Sequence, residues 1–585
     1  MKKIIQYLAV CLCLFLCLGA IYSGQTGGLL SVLGVQTGEG DQQAFVEYLD
    51  QLFREEITAN TINLHYTLKN PKQYGIKEYP ISLGQISQEN SIAAVAILEN
   101  MQAALAEFDP DQMDEEYAMI HDMLKDEIQT EISAAQLYLY QEPLRPSTGV
   151  AGELPVLLAE YTFYGERDIQ DYLALLRQLP DYYAQVLELE QKKADAGLFM
   201  PEYAAREIID QCENFVKDKE NNYLLDTFVD KVQSLEVDRE AYIQQNAAAV
   251  TEAVIPAYEL LIAGMKEILK GLEGQEWNQQ GLYHLPQGRE YYEYLVKSYT
   301  GSGMTVEEMQ QAAKVRRAYD MSEAAKLIRE DPKLLTVSTS YSFALQDPVA
   351  ILEQLQEKMS ADFPAPPDTS YSIKYVHPSL EAHLAPAFYL AVPIDDISQN
   401  AIYINGSSNY QKMKLYTTLA HEGFPGHLYQ NIMERSQDFL PIRSLLGTSG
   451  YSEGWATYVE MISYGYAELQ PGLGKLLMHD QSALLSLYAT ADLGIHGEGW
   501  SLEDMMAFFG EYQITDQQIL RDIYQLIVEE PAHYLKYYIG YLEFLSLKEE
   551  AQKKWGEEYS DYRFHEALME LGPAQFEILR KYFPD

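Results

Sequence analysis

Apolar residues recur at helical spacing along most of this chain, and that period limits the available folds more than any other feature. Phe45, Val46, Leu49, Leu52, Phe53 and Ile57 fall on one face of a 3.6-residue repeat. Ile169, Tyr172, Leu173 and Leu176 do the same, and after a break expected at Pro180 the pattern resumes with Tyr183, Val186 and Leu187. The texture changes near Leu334. Ser338 to Phe343, Ser370 to Val376 and Phe388 to Val392 are short, rich in β-branched or aromatic residues, and flanked by Pro and Asp, which predicts strands and turns. Ala401 to Asn405, ended by Gly406, has the strongest strand character. Helical periodicity returns at Met413 and holds to the end. The expected fold is mainly α, with a small β element in the stretch where eight of the eleven histidines lie, from His377 onward. The 46 tyrosines are read as core aromatics with hydroxyls at its edge.

A chain of 585 residues can bury a large core. Its net charge of -45, from 87 acidic and 42 basic residues, repels phosphate backbones, so no nucleic-acid partner is expected. Lys2 and Lys3 precede an apolar run from Ile4 to Ile21, which reads as a signal peptide or a membrane anchor. The expected location is secreted or cell-surface, with the N-terminal segment a candidate for membrane contact. Cys17 follows Leu-Phe-Leu and lacks the small residue that precedes a lipidated cysteine, so secretion or anchoring is favoured over lipid attachment. Cys11, Cys13 and Cys17 lie in this segment, which leaves Cys212 alone beyond it. No internal disulfide framework and no thiolate metal site can then form, and a transition metal would have to use His and carboxylate.

Such ligands occur in Leu415-Tyr-Thr-Thr-Leu-Ala-His421-Glu422-Gly-Phe-Pro-Gly-His427. Two histidines with a Glu directly after the first follow the pattern of zinc-peptidase helices, in which the imidazoles hold the metal and the Glu is general base. The usual four-residue spacing puts the two histidines about 40° apart around a helix, whereas six residues puts them roughly 120° apart. One unbroken helix could not aim both at one ion. Gly423, Pro425 and Gly426 predict a wide turn that redirects His427 toward His421. Glu453, 26 residues past His427 in Gly450-Tyr-Ser-Glu-Gly-Trp-Ala-Thr-Tyr-Val-Glu460, is the expected third ligand. Glu460 lies seven residues on, on the same helical face, placed to orient a ligand histidine.

The chain resembles the bacterial DUF885 family. His-Glu-Gly-x-Pro-Gly-His matches at His421 to His427, and Glu-Gly-Trp-Ala-x-Tyr-x-Glu at Glu453 to Glu460. Weaker similarity includes Gly152 to Pro155, Gly197 to Pro201, Ile255 to Tyr258, Gly281 to Tyr292, Asp492 to His496 with Trp500, and Phe564-His565. That family is distantly similar to helical zinc carboxypeptidases and oligopeptidases, which implies peptide hydrolysis in a deep cleft between helical walls. The two extra residues between the histidines depart from those enzymes.

A zinc peptidase also needs a donor for the oxyanion. Within Glu530-Pro-Ala-His533-Tyr534-Leu-Lys-Tyr537-Tyr538-Ile-Gly540-Tyr541 the DUF885 pattern matches at Pro531, Tyr537 and Gly540 and departs at Ala532, His533 and Tyr534. The oligopeptidase-like pattern favours Tyr534 and Tyr541 instead. His496 and His533 are candidates for substrate or ligand-orienting contacts, with a backbone-bonded structural role the alternative for His496; His565 is read as structural. His377, His383 and His479 carry no motif support. The expected organisation is residues 1–23 as signal or anchor, 24–40 as linker, 41–333 as an N-terminal helical region, and 334–585 as the catalytic region, packed with the former as one body. The expected function is hydrolysis of peptides by zinc on His421, His427 and Glu453. A non-peptide metallohydrolase and an inactive cell-surface binding protein remain as alternatives. Glu422 argues against the last, since a purely structural zinc site has no use for a free base.

Overall fold

The computed structural model describes residues 42–376, 386–398, 400–406 and 415–584. The N-terminal segment, the whole of the linker, His377 and His383 lie outside them. Helices dominate, with one three-stranded sheet. Contacts divide the described chain into two units: Met113–Thr130 and everything from Gly281 on form the larger, and the remainder up to Gln280 forms the smaller.

The smaller unit contains the first helices seen in the sequence. Gln42–Thr58 buries Phe45, Leu49, Phe53 and Ile57 along one stripe. Glu166–Asp195 is one helix of 30 residues that runs through Pro180, so the expected break there is corrected. Leu176, Leu179, Tyr183 and Val186 are all buried around the proline, and that packing outweighs the one backbone hydrogen bond it forfeits.

In the larger unit, three short strands form the sheet in the order β1-β3-β2: β1 (Tyr371–Tyr375), β2 (Ala387–Leu390) and β3 (Asn400–Ile404). β1 runs parallel to β3, Ile373 facing Ile402, and β2 runs antiparallel, Tyr389 facing Ile402. Ser338 to Phe343 is not a strand. Lys333–Ser338 is a helix, and Phe343 is buried against the ring of Tyr416, 5.1 Å away. Its aromatic content reflects a tertiary contact rather than a β-ladder.

Six helices of this unit build the site: α1 (Val306–Glu330), α2 (Leu415–Glu422), α3 (His427–Ser436), α4 (Ser449–Tyr466), α5 (Leu473–Asp492) and α6 (His533–Trp555). α4 and α6 meet backbone to backbone. A Cβ on Gly454 would stand 2.4 Å from the carbonyl carbon of Gly540, and one on Gly540 only 2.1 Å from the carbonyl oxygen of Gly450. Only glycine permits that approach.

Candidate metal centre

The helix carrying His421 stops one residue later, and His427 begins the next. Gly423 still donates to the Leu419 carbonyl, while Tyr429 donates back to the carbonyl of Gly423, so the turn is hydrogen-bonded on both sides. Its two glycines are sterically required. A Cβ on Gly426 would lie 1.8 Å from the His421 carbonyl oxygen, and one on Gly423 2.7 Å from that of Leu419. The Trp455 indole N–H, from α4, donates to the Pro425 carbonyl at 2.9 Å and ties the turn to the next helix.

This path brings the imidazoles of His421 and His427 together, with centroids 4.9 Å apart and planes at 85°. Glu453, wholly buried in the first turns of α4, points one oxygen at both. Its Oε2 lies 3.5 Å from His421 Nε2 and 3.4 Å from His427 Nε2. The three ligating atoms all lie within 4.8 Å of one another. These spacings are long for hydrogen bonds, and neither Glu453 oxygen has a hydrogen-bond partner among the described residues. A tetrahedral metal with N and O ligands at about 2.0–2.1 Å would space those ligands roughly 3.3 Å apart. The residues therefore fit a divalent metal, and two imidazoles with one carboxylate are a donor set suited to zinc.

The electrostatics agree with an anionic ligand. Burial works against a charge on Glu453. Lys536, with Nζ 3.7 Å from Oε1, and the facing His421 and His427 outweigh it and hold the carboxyl well below the usual range. On the far side of His421, Nδ1 faces Glu460 Oε2 at 3.5 Å, the relation that orients a ligand imidazole. Glu422 is buried and accepts a 2.9 Å hydrogen bond from the Tyr389 backbone N–H on Oε2, while Oε1 lies 4.0 Å from His421 Nε2. Tyr389 pairs with Ile402 without ladder hydrogen bonds, so its N–H points away from β3 toward Glu422. The small sheet thus positions the carboxylate beside the centre.

The tyrosines of α6 part company. Tyr537 has its ring 6.4 Å from that of His421, and His533 lies 5.5 Å from Tyr537. Tyr534 stacks on Tyr488 at 5.0 Å inside an apolar cluster with Ile523 and Ile527. The Tyr541 hydroxyl accepts from Arg316 at 3.2 Å. Neither Tyr534 nor Tyr541 contacts the three metal-ligand candidates among the described residues. His496 is also placed elsewhere. Its Nδ1 accepts from the Leu282 N–H at 3.0 Å and its Nε2 donates to the Ile527 carbonyl at 2.8 Å, so no ring nitrogen remains for substrate or for orienting a ligand. Within the same motif Asp492 does reach α6. Its Oδ1 accepts from the Tyr292 hydroxyl at 2.7 Å and from the N–H of Ala532 at 3.0 Å, pinning the left-handed residue at which α6 starts.

Two groups at the centre escaped the sequence reading. Lys536 lay inside a motif read for its aromatic residues, and a lysine one position before Tyr537 carries no pattern of its own. The Tyr389 N–H is a backbone group, legible only once strand pairing is known.

Residues 72–582 match the model of a family described as bacterial protein of unknown function, DUF885. Among solved structures, a candidate lipoprotein from Colwellia psychrerythraea is similar with a TM-score of 0.78 at 18% identity, over 92% of this chain and 97% of that one. A candidate lipoprotein of unknown function from Shewanella oneidensis is similar with a TM-score of 0.62 at 17% identity, over 92% and 99%. At such identities the likeness is one of fold. No curated protein matches the chain. With the family model spanning nearly all of the described residues, the chain belongs to the DUF885 family.

Proposed function

We propose that the chain is an exported, zinc-dependent peptidase. The observation that carries the reading is the convergence of His421, His427 and Glu453 beside a separately held Glu422. A zinc ion on those three residues would supply Lewis acidity toward a substrate carbonyl and lower the pKa of water. Glu422 does the proton work. The Tyr389 N–H restrains one of its oxygens and turns the other toward His421, where it takes a proton from water and delivers it to the leaving amine. Tyr537 is the donor for the developing oxyanion, and Glu460 steadies His421. Export is supported by the basic and apolar N-terminus, and by the description of both similar structures as candidate lipoproteins.

Glu422→Gln tests the reading. It keeps the side chain's size and an acceptor for Tyr389 while removing the base. The zinc content should stay near that of wild type while turnover of a peptide mixture falls by about 10²- to 10⁴-fold. Equal cleavage by both proteins would remove Glu422 from the mechanism. Loss of zinc in the variant would make Glu422 a ligand. A zinc-loaded wild type that cleaves no peptide would turn the reading toward another amide or ester, or toward binding alone.

A further inference from the structure

Arg316 and Arg317 are neighbours on α1 with different circumstances. Arg317 is buried, with Nε donating to the Tyr512 hydroxyl and Nη1 to Ser486 and Thr490, while no described residue accepts from its Nη2. Arg316 is 21% exposed. Of the five N–H donors of a guanidinium, Nε goes to Asp320 Oδ2 at 3.0 Å and one on Nη2 to the Tyr541 hydroxyl at 3.2 Å. No described residue accepts from the other three, two on Nη1 and one on Nη2, so both terminal nitrogens keep a donor for a carboxylate.

The fork is held rigidly. Asp320 is fully buried and also accepts from His479 Nδ1 at 2.8 Å and from the Ser482 hydroxyl at 2.6 Å, both on α5. The rings of Tyr319 and Tyr541 lie 5.1 and 5.6 Å from the guanidinium carbon. A surface arginine needs no such anchoring. Tyr541 also ties this group to the centre. It stands one helical turn past Tyr537 on α6, about 6 Å along the axis and on the same face. An extended peptide advances about 3.3–3.6 Å per residue, so the rise from Tyr537 to Tyr541 corresponds to about two residues of substrate.

We propose that Arg316 anchors the free C-terminal carboxylate of a peptide substrate, with Tyr541 and Asp320 as positioning residues, so that the site removes short fragments from the C-terminal end. The inference rests on the peptidase reading for its substrate class. It accounts for one partly exposed guanidinium held in place by its neighbours in a chain of net charge -45.

The test uses one N-acetylated hexapeptide as the free acid and as its C-terminal amide. Binding is measured to the Glu422→Gln protein, where turnover does not interfere. The acid should bind at least about tenfold more tightly than the amide, as a charge-assisted fork requires. Arg316→Gln added to that background should bring the ratio close to one, and Tyr541→Phe should lower it in part with the guanidinium still present. Zinc content equal to the parent's shows that each variant is folded. With wild type, mass spectrometry should show losses from the C-terminal end first. Equal binding of acid and amide, a preference that survives Arg316→Gln, or no binding of either peptide overturns the proposal. Acid-selective binding without cleavage of any peptide leaves the anchor standing and sinks the peptidase reading; cleavage without acid preference does the reverse.

Discussion

Four buried histidines of the larger unit fall into two kinds. His496 and His565 each have both ring nitrogens in hydrogen-bond contact: His496 with Leu282 and Ile527, His565 with the Asp362 carbonyl at 2.7 Å and the Tyr458 hydroxyl at 3.0 Å. His421 and His427 instead converge on one oxygen of Glu453 at 3.5 and 3.4 Å, too far for good hydrogen bonds and close to the edge of a metal's coordination shell. All four are buried, so burial alone does not separate the two kinds. What sets His421 and His427 apart is that their Nε2 atoms face the same carboxylate oxygen of Glu453.

The two kinds of histidine differ most at Glu453. Glu453→Ala removes the atom on which both imidazoles converge, and zinc content should fall from about one per chain to near zero by elemental analysis. Full zinc in that variant would erase the distinction. A smaller effect is expected at Glu460, which faces the outer nitrogen of His421. Glu460→Gln should keep the ion but weaken its affinity by about 10- to 100-fold in a competition titration with a chelator. The third effect, which leaves the centre itself unchanged, belongs to the other kind of histidine. Burial lowers the pKa of His496 and of His565 to about 4, against about 6.5 in the unfolded chain. Between those values the unfolded state binds more protons, so stability is retained above pH 6.5 and is lost as pH falls toward 4. Each histidine should contribute up to about 1.4 kcal/mol per pH unit. Chemical unfolding across that range should show the slope, and His496→Gln, which cannot titrate, should flatten it without changing zinc content.

Local features were legible where local physics decides. The helical stripe from Phe45 to Ile57, the three paired strands and the interruption at Gly423-Phe-Pro-Gly all follow from residues close in sequence. Pro180 misled because packing on both sides of it is tertiary. His496 could not be assigned from its motif, since one of its partners lies 214 residues away. Arg316 was silent for a similar reason. Its Asp320 partner is a common helical pair, and what makes the pair unusual comes from α5 and from Tyr541, 225 residues distant. The three tyrosines of α6 share a face by periodicity, yet each meets a different neighbour, and sequence cannot say which neighbour stands where.

The glycine contact between α4 and α6 has a mechanical consequence. Glu453 rides on one helix, and Lys536 and Tyr537 ride on the other, so the seam of Gly450, Gly454 and Gly540 gauges the distance between them. Most helix pairs are separated by side chains that can repack and absorb a displacement. Here the backbones touch, and there is no compliant layer. A single methyl group in the seam would act as a wedge and carry its full width to the far ends of both helices. The tolerance of the centre is therefore set partly at a place outside it, by the absence of two side chains, those of Gly454 and Gly540.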